Sequence, residues 1–192
     1  MRIFISLLVG YSLGAIPIAY IIGKVQKGID LREHGSGNLG ATNVLRNLGL
    51  VSFIICAAFD ILKSYLAFRL IGNFFGDNLG ILAGFAAVLG HCYSPFMNFK
   101  GGKGVATSGG LILAFDIRLL IVSALILLIV LLITRRMSLA SISVALAFPF
   151  IYYYFLGFDN LFFGAILLAG FVIFKHKDNI KRLLKGEEPK LF

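Results

Sequence analysis

Two short stretches of this sequence gather residues suited to holding anions. The first reads His34-Gly-Ser-Gly-Asn-Leu-Gly-Ala-Thr-Asn-Val-Leu-Arg46. Ser36, Asn38, Thr42 and Asn43 supply neutral donors, and Arg46 supplies a fixed charge on a planar fork. Backbone amides at Gly37 and Gly40, in a glycine-rich turn leading into a helix, form an anion nest. Thr42 and Arg46, four residues apart, share one helix face. The second stretch, Phe99-Lys-Gly-Gly-Lys-Gly-Val-Ala-Thr107, sets two lysines among three glycines. It is not a nucleotide P-loop, because Gly104 follows Lys103 and Met97 stands where the first glycine is required. A phosphate cradle fits better, with Gly102 and Gly104 baring the backbone and Lys103 supplying charge.

Two further regions add polar groups. Arg135, Arg136, Ser138 and Ser141 cluster, the two serines three residues apart on one helical face. In the basic tail, Ile180, Leu183 and Leu184 alternate with Lys181, Arg182 and Lys185, the pattern of an interfacial helix on anionic lipid. His176 and Asn179 lie at the membrane exit of that tail and are better placed to face a site. His34 reads as turn chemistry and His91 as a packed histidine beside Pro95. Histidines so scattered, with few carboxylates near them, do not make a metal site, and no cofactor is expected. Cys56 and Cys92 sit in apolar runs as small hydrophobes. Asp60 and Lys63, at i, i+3 inside an apolar stretch, are either a structural ion pair or part of a site.

The elements that must carry these residues are membrane helices. Of the 192 residues, 59% are hydrophobic and 14% charged, and mean hydropathy is +0.93. Soluble domains run about 45–50% apolar and about 25% charged. Apolar runs at 3–22, 49–71, 79–96, 105–115, 119–133, 139–155 and 161–174 predict an all-α polytopic integral membrane protein of about seven spans. The run 105–115 is short, so five spans plus re-entrant segments is the alternative. Tyr152, Tyr153 and Tyr154 read as an interfacial aromatic belt. Sorted by loop, one face holds 14 cations against 5 acids, the other 2 against 3. The positive-inside bias then puts the N-terminus outside, the C-terminus in the cytoplasm, and the glycine-rich loops on the cytoplasmic face. Few residues remain for a soluble domain, so residues 1–192 are expected to form one helical domain. Its site loops are about 34–46, 98–107, 134–141 and 174–187. The formal charge of +9 points to lipid or an anionic ligand rather than nucleic acid.

These segments also carry a family resemblance. Gly35-Ser-Gly-Asn-Leu-Gly-Ala-Thr-Asn-Val-Leu-Arg46 resembles the first signature of the bacterial membrane acyl-phosphate:glycerol-3-phosphate acyltransferases (PlsY-type). Gly90-His-Cys-Tyr-Ser-Pro-Phe-Met-Asn-Phe-Lys-Gly-Gly-Lys-Gly-Val-Ala-Thr107 resembles the second. Thr134-Arg-Arg-Met-Ser-Leu-Ala-Ser141 and Lys175-His-Lys-Asp-Asn-Ile-Lys-Arg-Leu-Leu-Lys-Gly-Glu187 are similar to the third and fourth. Asp60-Ile-Leu-Lys63 is also similar to a family pattern, with Ser64 where a glycine usually follows. The resemblance implies a plasma (inner) membrane enzyme taking acyl phosphate and glycerol 3-phosphate to lysophosphatidic acid and inorganic phosphate. It implies no metal, no acyl-CoA and no obligate protein partner.

The expected mechanism is direct attack by a glycerol 3-phosphate hydroxyl on the acyl-phosphate carbonyl. No His with an Asp five positions on is present, and the Gly-x-Ser-x-Gly pattern at Gly10-Tyr-Ser-Leu-Gly14 lies inside an apolar run rather than at a strand-to-helix elbow, which disfavours the other acyl-transfer routes. Ser36, Asn38, Thr42 and amides near Gly40 and Gly104 would hold one phosphate, neutralised by Lys103. Arg46, Ser141, His176 and Asn179 would orient the glycerol phosphate. The base is either His176 or a substrate phosphate oxygen. The competing class is a transporter of a phosphorylated solute, but transporters place their polar site near the bilayer midplane, often with internal repeats. A non-catalytic lipid scaffold would leave the Asn, Ser and Thr density without a use.

Overall fold

The computed structural model describes residues 1–192, and every regular element is a helix. Five segments are long and apolar enough to cross a membrane: Arg2–Lys27, Leu50–Phe75, Asp77–Met97, Ile117–Thr134 and Met137–Leu156. A sixth arises if the bent pair Asn160–Lys175 and Lys177–Leu184 counts as one span. The helix Val105–Phe115 is 11 residues long, about 16 Å at 1.5 Å per residue, which alone is too short. The chain divides into two compact units, Met1–Phe115 and Asp116–Phe192.

In the first unit the expected span 3–22 is broken. Helix α1 (Arg2–Ala15) stops before Pro17, and α2 (Ile18–Lys27) restarts after it. Proline lacks an N–H and pushes the residue before it out of the α region, and Ile16 accordingly has φ −60° and ψ 117°. The carbonyls exposed by the break are taken up across the fold. Ser94 Oγ donates to Ala15 O at 2.6 Å, and Lys63 Nζ donates to Ile16 O at 3.3 Å.

Next come α3 (Ala41–Leu48), α4 (Leu50–Phe75), α5 (Asp77–Cys92), a 3₁₀ turn (Pro95–Met97) and α6 (Val105–Phe115). Small residues let α1 and α5 approach closely. A methyl on Gly10 would strike the backbone of Ala83, and one on Gly14 the backbone of Ala87. Each pair is four residues apart, so one small stripe lies on another, the packing used where lipid offers no hydrophobic drive.

The second unit holds α7 (Ile117–Thr134), α8 (Met137–Leu156), α9 (Asn160–Lys175) and α10 (Lys177–Leu184), the last two bent by 61° at His176. Asp116 caps α7 through Arg118 N (2.8 Å), and Asp159 caps α9 through Leu161 N and Phe162 N. The aromatic belt is narrower than predicted. Tyr153 and Tyr154 are exposed, but Tyr152 is buried, its hydroxyl donating to Asp159 at 2.9 Å.

Candidate active site

The first polar loop is anchored by its apolar residues. Leu31, Leu39 and Val44 are buried in a cluster with Ala19, Cys56 and Met97. Above this base, the Asp30 carboxylate accepts from Arg32 (2.7 Å), which holds its pKa down at about 2. Asn43 is fully built into the loop. Its Nδ2 donates to Leu31 O and His34 O, both at 3.0 Å, and its Oδ1 accepts from Ser36 N (2.9 Å) and Asn47 Nδ2 (3.1 Å). All four positions of the amide are used, so Asn43 shapes the loop. Ser36, Gly37 and Arg46 are exposed, and Asn38, Gly40 and Thr42 half-buried. The Asn38 amide lies over Gly40, the residue that caps α3. The first-turn amides of α3 thus open where Ser36, Asn38 and Thr42 gather.

The second polar loop is tied to the end of α5. Gly101 N donates to Cys92 O (3.2 Å) and Gly102 N to His91 O (3.1 Å). A methyl at Gly102 would collide with His91 Nε2 and stand 2.9 Å from Leu39 O, so the two glycine-rich loops meet at this residue. Gly104 has φ +82°, and a side chain there would press on Cys92 Sγ and Val88 Cγ1 at 3.1 Å. Glycine is required by both the dihedral and the space. Lys103, half-buried, stands between these glycines immediately before α6 begins. Both short helices open through glycines, with Lys103 just ahead of α6 and Arg46 in the last turn of α3, an arrangement chemically suited to anionic oxygen.

In the second unit the predicted residues are engaged locally. Ser141 Oγ donates to Met137 O (2.8 Å). His176 Nδ1 lies 2.8 Å from Val172 O; a carbonyl only accepts, so this nitrogen carries hydrogen and a neutral ring keeps its lone pair on Nε2. Asn179 Nδ2 donates to Glu188 Oε1 at 2.7 Å. Glu188, which lies beyond the last of the sequence motifs, is buried and also accepts from Ser138 Oγ and Arg182 Nε, both at 2.7 Å. Burial raises its pKa, but these three hydrogen bonds outweigh burial and hold it below the usual glutamate value. Its only signal in the sequence is a place among the acids that close a basic tail.

A profile of the glycerol-3-phosphate acyltransferase family matches residues 4–186. The glycerol-3-phosphate acyltransferase of Bacillus subtilis (strain 168) is 44% identical over 191 residues, covering 100% of this chain and 98% of its own. That of Thermosipho melanesiensis is 45% identical, covering 99% and 93%. The chain belongs to the glycerol-3-phosphate acyltransferase family. Its fold agrees with the crystal structures of PlsY, an integral membrane glycerol 3-phosphate acyltransferase. The glycerol 3-phosphate form gives TM-score 0.92 at 36% identity, covering 99% of this chain and 96% of PlsY. The lysophosphatidic acid form gives 0.91 at 35%, covering 99% and 95%.

One grouping in this acyltransferase was not legible in its motifs. Asp60 and Lys63 on α4 form the predicted ion pair, 2.8 Å apart, and His91 on α5 joins it. Lys63 Nζ is 2.8 Å from His91 Nδ1, and Asp60 Oδ1 is 3.3 Å from the same nitrogen. His91 was expected to pack beside Pro95; instead it completes a buried triad. A contact between residues 28 positions apart leaves no spacing signature.

Proposed function

We propose that this chain transfers a fatty acyl group from acyl phosphate to glycerol 3-phosphate, the first acylation of bacterial phospholipid synthesis. The products are 1-acyl-glycerol 3-phosphate and inorganic phosphate. The observation that carries this reading is the meeting of two glycine-rich helix N-termini at Leu39 and Gly102, with Arg46 on α3 and Lys103 ahead of α6. Family membership, and PlsY structures described as glycerol 3-phosphate and lysophosphatidic acid forms, support the acceptor and the product.

The step needs no acyl-enzyme. A hydroxyl oxygen of glycerol 3-phosphate attacks the acyl carbonyl, and the ester C–O bond forms. The bond from carbonyl carbon to phosphate oxygen breaks, and the hydroxyl proton passes to phosphate. Phosphate is a good leaving group, so the protein's task is orientation and charge stabilisation. Lys103, Ser36 and the amides flanking Gly40 and Gly104 hold phosphate oxygen, Gly37 leaves room for it, Gly102 lets the two loops meet, and Arg46 supplies a bidentate fork. The enzyme lies in the bacterial plasma membrane with seven spans, N-terminus outside and these loops toward the cytoplasm. The excess of cations on that face supports this orientation.

The test is to mix the purified protein with acyl phosphate and glycerol 3-phosphate and follow phosphate release. Release that requires glycerol 3-phosphate and matches lysophosphatidic acid formed is the expected result. Release independent of the acceptor, or none, overturns the reading.

A further inference from the structure

Asp60, Lys63 and His91 take no part in the step just described, yet they are 2%, 6% and 8% exposed. Charges buried inside membrane helices are costly, and apolar side chains would pack α4 against α5 without that cost. What sets the group apart is where its open end points. Lys63 has three N–H groups and three acceptors near them: Asp60 Oδ1, His91 Nδ1 and Ile16 O. A charged lysine only donates, so His91 Nδ1 accepts and the ring hydrogen sits on Nε2. A protonated ring, turned to Asp60 instead, carries hydrogen on Nε2 as well.

That Nε2 edge faces Gly102. The main-chain carbonyl of His91 accepts from Gly102 N, and its Nε2 fills the space where a side chain at Gly102 would be. One residue therefore holds the same glycine by backbone and by side chain, and Leu39 O of the first loop reaches the same point. We infer that Asp60, Lys63 and His91 form a relay that fixes the seam between the two glycine-rich loops and so sets the affinity of the site for phosphate. His91 is a positioning residue acting through Gly102, with Lys63 and Asp60 fixing its ring. This inference rests on the anion-site reading of the loops.

The test compares full-length wild type with His91→Leu, His91→Gln and Asp60→Asn in lipid nanodiscs. It measures kcat, both KM values, inhibition by inorganic phosphate, and hydrogen exchange of residues 98–104. Leu keeps volume without a donor, whereas the Gln amide reaches the Nε2 position. His91→Leu should weaken phosphate inhibition and raise KM by about tenfold while kcat stays within about threefold. Exchange of the 98–104 amides should rise in the same variant. His91→Gln should restore most of both, and Asp60→Asn should reproduce the loss without adding to it in the double variant. Should His91→Leu fail to fold, His91→Asn replaces it, because its amide reaches only the Nδ1 side. Gln must then outperform Asn.

Phosphate inhibition within about twofold of wild type together with unchanged exchange overturns the inference. So does a Gln variant no better than Leu or Asn. The exchange arm judges the relay without turnover. Wild type lacking acceptor-dependent phosphate release would sink the acyltransferase assignment alone.

Discussion

Asn43 and Arg46 sit in one motif, within a turn of each other on α3, and do different work. The Asn43 amide is used up by Leu31, His34, Ser36 and Asn47, whereas Arg46 is exposed in the last turn of α3. Asn43→Ala should lower stability by about 1–3 kcal/mol, since it leaves buried loop groups unpaired. Arg46→Ala should leave the melting temperature unchanged but cut kcat/KM by about a hundredfold, with Arg46→Lys recovering only a small part, because lysine lacks the fork. Thermal melts and phosphate-release kinetics on the same preparations separate the two. Equal loss of stability in both variants would break the distinction. The placement of Ser36 and Lys103 in glycine-rich loops, and of Thr42 and Arg46 on one short helix, was legible from type and spacing. The structural service of Asn43 was not, since an amide donates equally well to a ligand or to its own loop.

The helices depend on residues that a hydropathy scan counts as neutral. The span over 3–22 was readable as apolar, but its break was written only in Pro17, and its carbonyls are met by Ser94 and Lys63, distant in sequence. Helix α6 fell on its predicted bounds because a glycine run and a chain turn fence it on either side. The α1–α5 contact is set by backbone touching backbone. Gly14→Leu should therefore destabilise by about 1–3 kcal/mol through overpacking, whereas Leu at the exposed position of Val25 should be neutral. A melt in detergent that moved equally for both would contradict this. The C-terminal tail is held by a carboxylate instead. Leu191 N donates to Arg135 O at 2.7 Å, and Glu188 joins Ser138, Asn179 and Arg182. The folded Glu188 pKa is lowered, so its contribution is complete above the unfolded value near about 4.3 and fades as pH falls through the lower folded value. Glu188→Gln should lower the melting temperature at pH 7 and lose most of that deficit as pH drops below about 4. A deficit independent of pH would mean that packing, not charge, holds the tail.

Across the whole molecule, the charge pattern and the helix lengths constrain different things. Cations gather in alternate connections, and the proposed orientation follows from that: an odd number of crossings would leave the two termini on opposite faces. It does not fix the number. Five helices suffice by length, α6 is about half of what the hydrocarbon needs, and α9 is 16 residues. Seven crossings require α6 and α9 to be completed by their flanks or by local thinning of the bilayer. The connection at Asp116 decides the matter for α6, because it emerges outside only if that helix crosses. Cys56 and Cys92 are buried with no exposure, so an introduced cysteine reports its own position to a membrane-impermeant thiol reagent. In sealed spheroplasts, Asp116→Cys and Asp159→Cys should both label from outside, and Lys190→Cys only after lysis. Were Asp116→Cys protected while Asp159→Cys still labelled, α6 would be re-entrant and the seven-span count would fall. The cytoplasmic placement of Lys103 at the head of the same helix would survive. Labelling of Lys190→Cys from outside would instead reverse the orientation and remove both glycine-rich loops from the cytoplasmic face.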